Sequence, residues 1–129
     1  MKENVKFYVC PICGNIVGVI NGDMNRVKCC GVAMEVMTAN TTDASVEKHV
    51  PVYEVIDDEI VVKVGSVEHP MEKEHYIMWI AQVTENRTTR VTLYPEQATE
   101  TRFPYIKGAT IYAYCNKHGY GKQQLNKIC

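Results

Sequence analysis

The sequence predicts an all-β protein in two parts, a small cysteine-bound metal domain followed by an antiparallel β-sandwich of immunoglobulin-like type. Three observations predict it. Four of the six cysteines, Cys10, Cys13, Cys29 and Cys30, fall close together near the N-terminus. Beyond them, short β-branched-rich runs alternate with turn-forming residues, and no stretch carries a helical period. The composition, 46% hydrophobic and 22% charged over 129 residues, is that of an ordinary soluble chain with room for one domain or two small ones. Those figures exclude a large enzyme, a disordered chain and a membrane-spanning one. Fourteen basic against fifteen acidic side chains leave a net charge of −1, so the chain has no general attraction for nucleic acid or an anionic membrane surface. Any steering of an anion has to be local.

Residues 1–37 form the first predicted domain. Its opening, Met1 to Lys6, is polar and lysine-containing, and no apolar run of signal or transmembrane length follows, so a cytoplasmic protein is expected. In a reducing compartment clustered cysteines read as metal ligands before disulfides. Cys10-Pro11-Ile12-Cys13-Gly14 precedes an apolar strand, Ile16 to Ile20, and a turn at Asn21-Gly22, for which a strand–turn–strand hairpin is expected. About thirty residues cannot bury an adequate core, so this domain needs a metal, a partner subunit or both. Thr38 to Ser45 is a polar connector.

Residues 38–129 form the second domain. Val50 to Ile56 and Ile60 to Val64 flank Asp57-Asp58 as a hairpin. Tyr76 to Val83 and Thr88 to Tyr94 make a second pair around Glu85-Asn86. Thr99 to Phe103 and Lys107 to Tyr114 supply the last strands, broken by Pro104 and Gly108. This spacing of short strands suits a two-sheet sandwich. Sequons at Asn40 and Asn86 have no secretory context and carry no functional weight.

Two constellations carry chemistry. Cys10-x2-Cys13 with Cys29-Cys30 presents four thiols, enough for a closed tetrahedral site that suits iron or zinc alike. Gly14 behind the first pair resembles the metal knuckle of rubredoxin-like sites. Adjacent Cys29 and Cys30 do not repeat that knuckle, so a more distorted tetrahedron is expected. A zinc staple is the plain structural alternative, and a disulfide pair a further one. The second constellation holds every histidine of the chain. His49, His69 and His75 lie in Glu47-Lys48-His49-Val50-Pro51, Glu68-His69-Pro70 and Glu72-Lys73-Glu74-His75. His118 follows Cys115 at the Cys-x-x-His spacing that lets one short loop deliver a thiolate and an imidazole to one ion.

These motifs, together with His69-Pro70-Met71, His75-Tyr76-Ile77, Trp79-Ile80 and Cys115-Asn116-x-His118-Gly119, resemble those of the desulfoferrodoxin family, the two-iron superoxide reductases. The resemblance runs from Phe7 to about Gly119. It implies a desulforedoxin-like first domain with iron in Cys10, Cys13, Cys29 and Cys30. It also implies a second, catalytic iron with His49, His69, His75 and His118 in a plane and Cys115 axial. The implied reaction is the one-electron reduction of superoxide to hydrogen peroxide, a defence against oxidative stress. Glu47 and Lys48 match the family's functional pair: Lys48 draws in the anion and helps orient a proton-donating water, and Glu47 takes the sixth position after oxidation. The resemblance further implies a homodimer and an electron donor that is rubredoxin or a similar small iron protein. Many members have His-Gly-x-Trp after the last ligand, where this chain has His118-Gly119-Tyr120-Gly121; Cys129 matches no family role. The competing readings are a rubredoxin-like electron-transfer protein and a zinc-stapled binding module on the sandwich scaffold.

Overall fold

The computed structural model describes residues 7–37, 51–64, 71–98, 100–115 and 119–124, the last of these by their backbone. Every regular element among them is a β-strand, and the chain divides into two units, Met1–Thr38 and Ala39–Cys129.

In the first unit, β1 (Phe7–Val9) pairs antiparallel with β2 (Ile16–Gly18) and with β5 (Glu35–Val36), in the order β2-β1-β5. β3 (Lys28–Cys29) and β4 (Val32–Ala33) form a separate two-stranded ribbon. The expected hairpin about Asn21-Gly22 is therefore corrected: β2 pairs backwards with β1, across the cysteine knuckle. The reason is local. Cys10 N–H donates to the Asn15 carbonyl at 2.9 Å and Gly14 N–H to the Cys10 carbonyl at 3.0 Å, which closes the knuckle into the turn of a β1–β2 hairpin. After Gly22, Asp23 Oδ1 accepts from Asn25 N–H and the Met24 carbonyl from Val27 N–H, so the chain winds instead of returning as a strand. Among the described residues of this unit only Phe7, Cys10 and Met34 are buried.

Among the described residues the second unit has seven strands. β6 (Pro51–Ile56) and β7 (Glu59–Val64) make the expected hairpin, with Asp57 at φ 58° in its two-residue turn, where Asp is among the few side chains that tolerate positive φ. β8 (Ile77–Val83) and β9 (Thr88–Thr92) make the next hairpin. β10 (Thr101–Pro104) crosses to pair with β7, and β11 (Thr110–Cys115) returns to pair with β8. With β12 at Gly119–Gln124, the sheets run β10-β7-β6 and β12-β11-β8-β9. Pro104, expected as a break, ends the edge strand β10, where a missing N–H costs the ladder nothing. β12 (Gly119–Gln124) pairs with β11 along its full length; Gly-Tyr-Gly-Lys-Gln-Gln has no β-branched residue, so nothing in its local composition marks a strand. Val50, Thr99 and the connector Thr38 to Ser45 lie outside the described residues.

Period-two alternation sets the sandwich core. Ile60, Val62 and Val64 of β7 face Ile80 of β8 and Ile111, Ala113 and Cys115 of β11, with Ile77, Phe103, Leu93 and Ala109 completing the cluster. A polar side chain crosses between the sheets: buried Gln82 donates its Nε2–H to the Pro104 carbonyl at 2.8 Å. On the other face of β8 and β11, Trp79 and Tyr114 stack at a centroid distance of 5.7 Å, a cross-strand pair fixed by their register.

Candidate metal centres

All four N-terminal cysteines converge. Their sulfurs lie within 4.8 Å of one another, and none of the described cysteines is in a disulfide. In a tetrahedron with metal–sulfur bonds of about 2.3 Å the sulfurs stand about 3.8 Å apart. Cys13 Sγ and Cys29 Sγ, at 3.5 Å, are already near that edge length. Two elements build the cluster. The β1–β2 knuckle delivers Cys10 and Cys13, with Gly14 at φ 81° turning the chain as only glycine does freely. The β3–β4 ribbon delivers Cys29 from its strand end and Cys30 from the turn. Cys30 and Gly31 have φ of 56° and 76°, the two positive values of a type I′ turn. A tight turn thus presents two adjacent thiols where a second knuckle is impossible, and the non-glycine Cys30 sits in a strained conformation of the kind found at ligand clamps.

The four sulfurs are not equivalent. Cys10 is buried, and its sulfur accepts the backbone N–H groups of Cys13 at 3.5 Å and Ile12 at 3.4 Å. These donors, Cys13 first, hold its thiol down at about 6 from the ordinary 9.0 against the opposing effect of burial. Cys29 is pushed up to about 12, foremost by hydrogen bonding with Cys13 and then Cys10, in which it keeps its proton, with burial and the charge of Cys10 adding smaller pushes. Cys30 is raised by the same neighbours. Without an ion, therefore, Cys29 and Cys30 take up protons before Cys10 as pH falls.

The second constellation is described in part. Cys115 ends β11 on its core-facing row and is fully buried among apolar side chains. The β8–β11 register shifts between Tyr114 and Cys115: Tyr114 opposes Trp79, Cys115 opposes Ile77, and Met78 is the bulged residue. Bulges of this kind re-aim a strand end. His75, half-buried, lies two residues before Ile77, hence at the same sheet end as Cys115. Its turn is closed by mutual backbone hydrogen bonds with Glu72 at 2.9 and 3.0 Å. Met71 anchors the segment, its sulfur accepting Ile77 N–H at 3.4 Å and its carbonyl accepting Glu96 N–H. Glu47, Lys48, His49, His69 and His118 lie outside the described residues, as does Cys129. Among the described residues the four-cysteine cluster alone gathers three or more metal-ligating side chains.

Fold and cluster place the chain among β-sandwich proteins that carry a separate four-cysteine unit suited to hold a metal. Comparison with known proteins narrows that class. The desulfoferrodoxin family model matches residues 41–124. The desulfoferrodoxin of Syntrophotalea carbinolica is 46% identical over 120 residues, covering 92% of this chain and 95% of that one. That of Desulfarculus baarsii is also 46% identical, over 96% of this chain and 99% of its own. The chain belongs to the desulfoferrodoxin family. Its structure is similar to the superoxide reductase from Treponema pallidum, with a TM-score of 0.74 and 29% identity over 95% of this chain and 99% of that one. It is also similar to the one-iron superoxide reductase from Giardia intestinalis, with a TM-score of 0.55 and 28% identity over 62% of this chain and 98% of that one. The expected family, the all-β fold and the expectation of an enzyme are met by these likenesses. The family implies iron, and the spacing and softness of the four sulfurs fit it. No helix among the described residues is long and apolar enough to cross a membrane.

One contributor escaped the sequence reading. Asn15 directs its side-chain amide at Cys29 Sγ, 3.9 Å away. Its only trace in sequence is its place directly after the knuckle glycine.

Proposed function

We propose that this protein is a superoxide reductase that protects the cell from oxidative stress by reducing superoxide, with one electron and two protons, to hydrogen peroxide. The observation that carries the reading is the pairing of Cys115 with Ile77 through a bulge, at the sheet end that also bears His75, in a fold similar to superoxide reductases. His49, His69, His75 and His118 with Cys115 form the ligand set of the catalytic iron. A buried cysteine in an apolar core resists ionisation unless a cation compensates it, so Cys115 is suited to be a metal thiolate. A ferrous ion held by this donor set supplies the electron.

The chain's own residues do the rest. Lys48 raises the local superoxide concentration by electrostatic attraction, which a protein of net charge −1 does not provide globally, and it orients a water as proton donor. Glu47 closes the oxidised site and assists peroxide release. Residues 1–37 act as a desulforedoxin-like domain whose four cysteines hold a second iron, with zinc as the alternative ion, and residues 38–129 act as the catalytic domain. Exposed Ile12, Ile20 and Val36 on a unit with so few buried side chains support a homodimer. The physiological setting is the cytoplasm, with rubredoxin or a similar small iron protein as electron donor.

Metal analysis combined with rapid mixing of the reduced protein with superoxide tests this reading. Two irons per chain, one visible band present at once and a second on oxidation, are expected. Lys48→Ala should keep both irons and react about tenfold more slowly, with a weaker dependence on salt. A colourless protein containing zinc alone overturns the redox reading, and an unchanged Lys48→Ala rate removes Lys48 from the steering role.

A further inference from the structure

The hydrogen bonds that reach the four-cysteine cluster are unevenly distributed. Cys10 Sγ accepts from two backbone amides, Ile12 and Cys13. Cys29 Sγ, among the described residues, has one N–H directed at it, from the Asn15 side chain. The backbone that carries that amide is held in place. The Asn15 carbonyl accepts Cys10 N–H at 2.9 Å, and Gly14, immediately before it, donates to the Cys10 carbonyl at 3.0 Å. Asn15 therefore starts from a backbone fixed to the same loop that carries two of the four thiols. Its side chain spans from the knuckle to the opposite ribbon, joining the two elements that make the cluster.

We infer that Asn15 is a positioning residue of the four-cysteine centre that sets its reduction potential through an N–H···S hydrogen bond to Cys29. This rests on the reading that the centre holds iron. One-electron reduction, ferric to ferrous with the electron delivered by an external donor, makes the four-thiolate site one unit more negative. The sulfurs take up part of that charge. A donor aimed at a sulfur stabilises the more negative state more than the less negative one, and so raises the potential. Among the described residues no backbone amide is directed at Cys29 Sγ, so the Asn15 side chain is the amide donor there. The site is exposed at Cys13, Asn15 and Cys30, and hydrogen bonds to the sulfurs together with solvent exposure set the potential of such a centre.

The test is a spectroelectrochemical titration of the iron-loaded full chain and two variants. Asn15→Ala deletes the donor, and Asn15→Asp replaces it with an acceptor of nearly the same shape. Both retain the backbone carbonyl that closes the knuckle. The potential should fall in the order wild type, Asn15→Ala, Asn15→Asp. For Asn15→Ala the reduction equilibrium constant should drop about tenfold, equivalent to about 59 mV for a one-electron couple. The charge-transfer band of the ferric centre should shift in both variants while iron per chain stays at the wild-type value. An Asn15→Ala potential equal to wild type, with iron retained, overturns the inference. Loss of iron from Asn15→Ala together with an unchanged potential in Asn15→Asp overturns it as well, because the residue is then structural. A wild-type centre that holds zinc and shows no ferric band instead refutes the reading on which the inference rests, and the two failures are told apart by colour and metal content before any variant is made.

Discussion

Cys115→Ser should abolish superoxide reduction, lowering the rate by more than about 100-fold, beyond what loss of an outer hydrogen-bonding partner costs a metal site. It should also remove the visible band that appears on oxidation. The size follows from where the residue sits. Cys115 is fully buried on the core-facing row of β11, against Ile, Val and Ala side chains, so no water replaces a lost ligand. A serine hydroxyl stays protonated at neutral pH and offers iron a hard, neutral oxygen in place of a polarisable anion. The fold itself should survive, because burying one hydroxyl costs roughly 1–3 kcal/mol against a core of eleven clustered residues. The measurement is iron content, visible spectrum and superoxide rate on the same preparation, with thermal unfolding as the control. A variant that keeps its colour and turns over normally removes Cys115 from the ligand set.

Removing the metal from the four-cysteine site should unfold the first unit and leave the second intact. Among its described residues the unit buries Phe7, Cys10 and Met34, and its strands are two or three residues long. Folding energy on that scale does not offset the chain entropy of some thirty residues. Binding of zinc to comparable small peptides is worth roughly 10–16 kcal/mol, so the metal decides whether this unit is ordered. The sandwich has its own core and should not respond. Amide hydrogen exchange on the chelated full chain should show residues 7–37 at unprotected rates while Ile80 and Ile111 keep their protection. Continued protection of the β1–β2 hairpin without metal would mean that packing, and not the ion, holds the unit.

These expectations differ in how far each was legible beforehand. Spacing alone located the four-cysteine site, since CxxC followed by a cysteine pair offers four thiols and the chemistry of four thiols constrains the ion. The β6–β7 and β8–β9 hairpins were also legible, because alternation and turn residues are local signals. The Asn21-Gly22 hairpin failed for the same reason: a turn dipeptide reports a bend, but the partner strand is chosen by backbone bonds made elsewhere, here those that close the knuckle. β12 was invisible in its own sequence because its place is fixed by the open edge of β11 and not by the propensity of its residues.

By itself, then, the sequence determined the four-cysteine cluster, the all-β class and the family, each of which is written in residue identity and short-range spacing. Tertiary structure decided how adjacent Cys29 and Cys30 reach one cluster, through a positive-φ turn at Cys30-Gly31. It also decided that Cys115 leaves β11 through a bulge at the sheet end shared with His75, and that an exposed asparagine serves a sulfur fourteen residues away. All three depend on which strands pair and in what register. Register is a property of the whole sheet, and no window of sequence contains it.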